Sequence, residues 1–197
     1  MMQNNIKIAI TGGICSGKST VAHIIREQGY NVVSCDEIYS ELLKDTQFLD
    51  LLDKEFGNIK NNDGTLDRTT LSEIVFGDSE KLKKLNALTH PRIMQRAMED
   101  MSSGGINFCE VPLLFEGGFE RLFDNIIVVL RDDEIRLEEL EKRDNIDKNQ
   151  ALLRINKQFD YKNHNFTMYY VIHNDSTLTE LYNKTFITLE KIRKDYI

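Results

Sequence analysis

One glycine-rich run near the start of the chain constrains its fold more than any other feature. Residues 12–19 read GGICSGKS and fit the P-loop pattern G-x-x-x-x-G-K-[ST]. The β-branched run Ile6–Ile10 before it predicts a strand, and Thr20–Ile25 after it predicts the first turns of a helix. Backbone N–H groups of the loop and the N-terminus of the helix then point at the same site, which favours the binding of an anion. The chain is therefore predicted to bind a nucleoside triphosphate.

The residue types in this run predict separate tasks. Lys18 is expected to reach the β- and γ-phosphates, and the Ser19 hydroxyl is expected to bind Mg²⁺. The residues expected to contact the nucleotide are Gly13, Cys15, Ser16, Gly17, Lys18, Ser19 and Thr20. The pattern predicts ATP and Mg²⁺ as cofactors, but it does not identify what receives the phosphate.

Short apolar runs alternate with long helical patterns, which predicts an α/β fold with a parallel sheet. The strand candidates are Ile6–Thr11, Asn31–Ser34, Asn107–Val111, Asn125–Leu130 and Tyr169–His173. We expect a single P-loop kinase unit whose core comprises residues of about 1–40, 104–132 and 165–197. Ligands of such sheets bind at the carboxyl ends of the strands.

Two helical regions interrupt this core. The segment of about 41–103 is too long for a single crossover between two parallel strands, so we expect a helical insert that covers an acceptor substrate. Residues of about 133–164 form a second helical region, in which Asp147 and Gln150 have the spacing of a capping box. This region carries Arg136, Arg143 and Arg154, which suit either a lid that closes on phosphates or a solvated charged surface.

Acidic residues near the predicted strand ends are candidates for catalysis. Asp36 follows the second strand, where it suits a general base or the N-cap of the next helix. Glu110 ends the third strand and is a candidate Mg²⁺ ligand, or an ordinary strand-end acid. His90 is followed by Pro91, which suits the first turn of a helix. A histidine there could touch a substrate phosphate, although a lone histidine is more often structural.

Charge and cysteine content restrict the class of protein. The net charge of −7 argues against a nucleic-acid or membrane partner. No apolar stretch approaches a membrane span, and residues 1–5 lack the charged and apolar parts of a signal peptide. Three widely spaced cysteines, Cys15, Cys35 and Cys109, favour free thiols and a cytoplasmic location. We expect a monomer or a weak homo-oligomer.

Several motifs together resemble the dephospho-CoA kinase family over nearly the whole chain. Besides the P-loop they are residues 63–68 (DGTLDR), 74–76 (IVF), 85–86 (LN), 89–93 (THPRI), 111–116 (VPLLFE), 143–144 (RD) and 170–172 (YVI) followed by Asn174. The combination of the insert motif with VPLLFE separates this family from other small P-loop kinases.

The resemblance implies a five-stranded parallel core, a helical CoA domain and a lid. It implies transfer of the ATP γ-phosphate to the ribose 3′-hydroxyl of dephospho-CoA. Asp36 matches the base, Arg143 matches a lid arginine on the ATP phosphates, and Asn174 lies in the segment near the adenine. The implied contacts of the acceptor are Thr11, Asp36, His90, Arg92, Leu113 and Phe115.

The chain departs from the family pattern at a few positions. Cys15 stands where glycine is usual, Ser34 and Cys35 replace the first two residues of a D-A-D motif, and Glu110 replaces aspartate. Residues 163–166 (NHNF) replace a more charged or alanine-rich stretch. Two other functions stay open: a kinase for another small metabolite, such as a nucleoside monophosphate or shikimate, and a regulatory ATPase.

Overall fold

The computed structural model describes residues 5–75 and 77–196, so Phe76 of the insert motif and residues 1–4 of the N-terminal expectation lie outside the described residues. Five strands and eight α-helices follow one another along these ranges. They are β1 (Asn5–Thr11), α1 (Lys18–Glu27), β2 (Asn31–Ser34), α2 (Cys35–Leu42), α3 (Thr46–Phe56), α4 (Arg68–Val75), α5 (Ser79–Asp100), β3 (Gly105–Glu110), β4 (Asn125–Leu130), α6 (Asp133–Asp144), α7 (Lys148–Asn156), β5 (Tyr170–His173) and α8 (Leu178–Tyr196).

All five strands lie in one parallel sheet of order β2-β3-β1-β4-β5. The predicted fold class is therefore confirmed. β2 and β4 have the predicted bounds, whereas β3 runs over Gly105–Glu110 and β5 begins at Tyr170. β3 ends before Pro112, which has no N–H to donate to a neighbouring strand. Because every strand runs the same way, the carboxyl ends of all five meet at one edge of the sheet.

The chain divides into two compact units. One contains the residues up to Ser34 and those from Met101 onward, and the other is Cys35–Asp100. The first unit holds the sheet, and its core consists of aliphatic and aromatic side chains between the sheet and the helices α1 and α8, such as Ile8, Ile25, Phe108 and Ile192. Each such side chain, once buried, contributes about 1.5–3 kcal/mol to folding.

The second unit is helical throughout α2–α5 and has its own apolar core. Phe48, Leu49 and Leu52 of α3 are buried with Leu71 of α4 and Leu85 of α5. α5 continues through Pro91, which lies inside the helix and not in a first turn as the sequence suggested. The placement of Pro91 was therefore wrong, because packing of the flanking turns outweighs the missing N–H donor. No helix in the described ranges is long and apolar enough to cross a membrane.

Candidate functional site

The glycine-rich loop connects β1 to α1 at the carboxyl edge of the sheet. Gly17 caps α1 with a left-handed backbone (φ 94°), and a Cβ there would lie 2.3 Å from the Asn174 Nδ2 atom. Only glycine fits both the backbone angle and this close approach. No acidic residue occupies the first turn of α1, so the positive end of the helix dipole stays open to an anion.

Side chains from distant parts of the first unit hold this loop in place. Three successive carbonyls each accept a hydrogen bond: Ile14 from Arg136 Nε (2.9 Å), Cys15 from Arg131 Nη1 (3.1 Å) and Ser16 from Asn174 Nδ2 (2.9 Å). The Ile14 N–H donates to Gln158 Oε1 across 2.7 Å. The loop conformation is thus preorganised by its surroundings before a ligand arrives.

Arg136 has a different task from the two that the sequence left open. Its side chain is buried, donates also to Asp133 Oδ1 (2.8 Å) and Gln158 Oε1 (3.2 Å), and fills the space where a Gly13 Cβ would lie. It is neither a surface charge nor an exposed lid arginine, but a buried side chain that holds the P-loop in place through the Ile14 carbonyl. Sequence reasoning missed Arg131 and Gln158 altogether, and only the place of Arg131 directly after β4 offered a signal.

The two residues predicted to bind Mg²⁺ lie against each other. Ser19 Oγ donates to Glu110 Oε1 across 2.6 Å, and Glu110 is paired in register with Ser34 at the end of β2. Glu110 is buried while Ser19 is exposed, so the pair borders solvent. A hydroxyl and a carboxylate are hard oxygen donors of the kind that Mg²⁺ prefers. The described residues contain no group of three or more His, Cys, Asp or Glu side chains placed to hold a metal.

Cys15 occupies the loop with an unusual backbone. Its φ of 58° lies in the left-handed region, although it is not glycine. Its side chain is buried in an apolar cluster with Leu137 and Leu140 of α6 and Ala151 of α7. Burial raises the pKa of the Cys15 thiol, and the nearby charge of Arg143 opposes this only in part. The thiol is therefore protonated near neutral pH.

Lys18 and Arg143 are the cations predicted to face the phosphates. Lys18 belongs to the P-loop and is the first residue of α1. The charges of Arg143 and Lys18 both oppose the rise in the pKa of the Cys15 thiol. Arg143 is half-exposed and donates from Nε to Asp144 Oδ1 across 2.8 Å. Arg154 bonds the other oxygen of the same carboxylate. The Arg143 hydrogen bond lowers the pKa of Asp144, so this lid pair stays ionised.

The two helices of the predicted lid, α6 and α7, follow the sequence pattern. α6 and α7 are separated by Asn145, whose left-handed backbone ends α6. Asp147 and Gln150 form the predicted capping box, with Gln150 N–H donating to Asp147 Oδ1 across 2.9 Å and Asp147 N–H donating to Gln150 Oε1 across 3.3 Å.

Three of the predicted site residues, Asp36, His90 and Arg92, belong to the second unit. Asp36 is exposed in the first turn of α2, which begins at Cys35, so the N-cap position proposed for Asp36 was wrong. His90 is half-buried, and burial lowers its pKa, which favours the neutral imidazole. Arg92 is exposed, donates to the Leu88 carbonyl across 2.8 Å and lies 5.4 Å from the centre of the Phe48 ring.

The remaining acceptor candidates follow or adjoin β1 and β3. Thr11 is fully buried, and its Oγ1 lies 3.2 Å from the Tyr161 hydroxyl. Leu113 is exposed and Phe115 is half-buried in the loop after β3. Phe115 is the centre of an aromatic cluster with Phe159, Tyr161, His164, Phe166 and Tyr169. The hydroxyl of Thr11 thus contacts Tyr161, and a direct contact of Thr11 with an acceptor stays a prediction.

A cavity of about 560 Å³ borders the loop beside the start of α6. Gly13, Ser16 and Tyr161 line it together with four acidic residues (Asp132, Asp133, Glu134 and Asp175) and the basic residues Arg131, Arg136, Lys162 and His173. Its volume falls in the range of small-molecule pockets. Because the acidic side chains offset the basic ones, the phosphates are expected at the amides of the loop and not in this cavity.

Comparison with known proteins places the chain among kinases. The family profile of dephospho-CoA kinase matches residues 6–180. A dephospho-CoA kinase from Fusobacterium nucleatum is 35% identical over 180 residues, which cover 90% of this chain and 93% of that protein.

Two solved structures agree with this similarity. TT1252 from Thermus thermophilus superposes with a TM-score of 0.84 at 30% identity, covering 96% of this chain and 98% of that one. The dephospho-CoA kinase from Campylobacter jejuni gives a TM-score of 0.71 at 26% identity, covering 97% and 98%.

Proposed function

This chain belongs to the dephospho-CoA kinase family, and from that membership we propose that it transfers the ATP γ-phosphate to the ribose 3′-hydroxyl of dephospho-CoA. The observation that carries the proposal is the match of the dephospho-CoA kinase family profile to residues 6–180, and the Ser19–Glu110 contact beside the P-loop supports the binding of ATP with Mg²⁺. In the reaction the bond between the γ-phosphorus and the β–γ bridging oxygen breaks, and a bond from the 3′-oxygen to phosphorus forms. ADP leaves, and the proton of the hydroxyl passes to a base.

The P-loop holds the donor. The loop amides and the N-terminus of α1 bind the phosphates, and the Lys18 ammonium neutralises charge on the β- and γ-phosphates. Arg143 binds the same phosphates from the lid, where its link to Asp144 orients the guanidinium. These fixed charges stabilise the transferring phosphoryl group more than the bound ATP, which is what accelerates the reaction.

Ser19 and Glu110 fit a bound Mg²⁺ ion. Both offer oxygen donors at the loop, and few protein ligands suffice because Mg²⁺ keeps waters and phosphate oxygens in its shell. When bound, the ion would neutralise negative charge on the phosphates. Ser34 lies opposite Glu110 in the register of β2 and β3. Because Ser34 carries an uncharged hydroxyl, Glu110 is the charged residue of this pair.

Asp36 serves in this proposal as the general base. Its carboxylate is exposed, and it follows β2 directly along the chain, close to the end of the strand in sequence. A carboxylate that accepts the 3′-hydroxyl proton as the O–P bond forms is sufficient for such a transfer. His90, Arg92, Leu113 and Phe115 are proposed to contact the acceptor, with His90 acting as a neutral hydrogen-bonding group.

The proposal extends to the setting of the enzyme. We propose a cytoplasmic protein, supported by Cys15, Cys35 and Cys109, none of which forms a disulfide. We also propose a monomer or weak homo-oligomer without a nucleic-acid or membrane partner, in line with the net charge of −7. We propose that the insert of about 41–103 covers the acceptor and that the lid of about 133–164 closes on the phosphates.

The test is phosphorylation of dephospho-CoA by the purified chain with ATP and Mg²⁺, in which both CoA and ADP are measured. Equimolar formation of CoA and ADP, abolished in Lys18→Ala, is the expected result. Shikimate and a nucleoside monophosphate serve as competing acceptors. Faster phosphorylation of either one would identify a different kinase, and ADP formation independent of every acceptor would identify an ATPase.

A further inference from the structure

Gln158–Tyr161 are four consecutive residues that follow α7 within the predicted lid, and we call these four residues the bridge segment. Its first residue contacts the P-loop and its last residue contacts the end of β1. The side-chain oxygen Oε1 of Gln158 accepts a hydrogen bond from the Ile14 N–H across 2.7 Å, and the Tyr161 hydroxyl lies 3.2 Å from Thr11 Oγ1. The two ends of the bridge segment therefore contact the P-loop and the strand end that leads into it.

The same segment contacts the loop that follows β3, residues 111–116, which we call the acceptor loop. The Phe159 N–H donates to Glu116 Oε1 across 3.0 Å. The Phe159 ring stacks on Phe115 with centroids 4.7 Å apart and planes 26° apart, and Tyr161 meets Phe115 edge-on at 6.0 Å. The stacking and the hydrogen bond act on adjacent residues of the acceptor loop, so they restrain both its position and its orientation.

The bridge segment is itself well anchored. Arg136 donates to Gln158 Oε1 across 3.2 Å, so this oxygen accepts hydrogen bonds from both Ile14 of the P-loop and Arg136. Tyr161 is buried, and its ring also packs against Phe159 and Phe166. Both ends of the bridge segment are therefore held by several contacts each.

We propose that the bridge segment sets the distance between the P-loop and the acceptor loop, and that Gln158 and Tyr161 are positioning residues for phosphoryl transfer. This rests on the proposed function, in which Leu113 and Phe115 contact the acceptor. Phosphoryl transfer needs an in-line approach of the acceptor, and a displacement of about 1 Å costs about 100-fold in rate. Loss of a bridge contact therefore affects turnover more than binding of ATP.

The first test removes one hydroxyl from the bridge segment. Tyr161→Phe is expected to lower kcat for CoA formation by about 3- to 10-fold, the size of one hydrogen bond, with the KM for ATP within about 2-fold of the parent. ATP hydrolysed per CoA formed is expected to rise, because a misplaced acceptor competes less well with water. Tyr169→Phe is the matched control, since it removes a hydroxyl from another ring that meets Phe115 at 6.0 Å.

A second pair of variants separates positioning from stability. Gln158→Leu removes the acceptor of the Ile14 N–H and is expected to lower kcat by about 10-fold, whereas Gln158→Glu keeps an acceptor oxygen and is expected to restore most of it. A lower melting temperature with unchanged kcat and unchanged ADP-to-CoA ratio in both Tyr161→Phe and Gln158→Leu would overturn the proposal.

Hydrogen exchange tests the bridge without any acceptor. Gln158 contacts the P-loop and not the acceptor loop, so faster exchange of amides 113–116 in Gln158→Leu than in the parent is the expected sign of transmission. Faster exchange confined to residues 11–16 would overturn the proposal. If the parent forms no CoA, the proposed function fails, and this exchange measurement still decides whether the two loops are coupled.

Discussion

The Ser19 hydroxyl donates a hydrogen bond to the Glu110 carboxylate across 2.6 Å, which joins the start of α1 to the end of β3. We predict that Glu110→Gln, which keeps an acceptor oxygen but loses the charge, raises the Mg²⁺ concentration for half-maximal activity by about 10- to 100-fold. Glu110→Asp, which keeps the charge, is the control. A magnesium titration of CoA formation measures both, and an unchanged midpoint in Glu110→Gln would remove Glu110 from the proposed metal site.

Asp36→Asn tests the proposed base. The amide cannot accept the hydroxyl proton, so kcat is expected to fall by about 100- to 10,000-fold while the affinity for ATP is retained. Glu37→Gln, which neutralises the neighbouring acid in the same turn of α2, is the matched control. Single-turnover kinetics and nucleotide titration separate the two effects. Near-parental turnover in Asp36→Asn would assign the proton transfer to another group.

Arg143 and Arg154 share one carboxylate, which makes them a matched pair. Arg143→Ala is expected to lower kcat/KM for ATP by about 10- to 100-fold, the value of a charge-assisted hydrogen bond to a phosphate. Arg154→Ala removes a similar charge from Asp144 and is expected to have a small effect. Equal losses in the two variants would mean that both act through Asp144 and the lid, and not through the nucleotide.

The left-handed backbone of Cys15 predicts different effects on stability for two substitutions. A left-handed φ costs a non-glycine residue about 1–2 kcal/mol, so Cys15→Gly relieves strain but loses the thiol contact with Leu137 and Leu140. We expect a change in the free energy of unfolding within about 1 kcal/mol. Cys15→Val adds a β-branch at the same φ, for which we expect a loss of about 1–3 kcal/mol. Urea unfolding measures both, and similar stability of Cys15→Val and the parent would contradict the strain argument.

Tyr161 predicts a stability change at high pH. Burial raises its pKa from 10.0 to about 12, so between these values the unfolded chain loses a proton that the folded chain keeps. Folding is therefore favoured fully below pH 10, and up to about 3 kcal/mol of this contribution is lost as the pH rises towards 12. Urea unfolding across this window should show a smaller loss in Tyr161→Phe. Parallel curves for parent and variant would exclude Tyr161 as the source.

Local patterns in the sequence predicted the elements that depend on neighbouring residues. The strand, loop and helix around Gly12–Ser19, the strands β2 and β4 and the capping box of Asp147 with Gln150 are all found as predicted. These features follow from periodicities and from contacts a few residues apart, which a sequence displays directly. The motifs around the P-loop and VPLLFE also sufficed to indicate the family.

Local patterns failed where a competing interaction decided the outcome. Pro91 lies within α5, and Asp36 lies inside α2 instead of capping it. In both cases the local preference of one residue for a position at the start of a helix is outweighed by the packing of the turns around it. The surrounding helix therefore decides where the helix begins. The assigned roles of Asp36 and of the acceptor contacts remain predictions.

The amino-acid sequence by itself determined which residues could bind phosphate and at which edge of the sheet they would lie. Only the tertiary structure decided what holds them there. Arg136 reaches Ile14 across 122 positions, Gln158 reaches Ile14 across 144, and Tyr161 reaches Thr11 across 150. Such contacts leave no periodic trace in a single sequence, because they exist only once the sheet and its helices have packed.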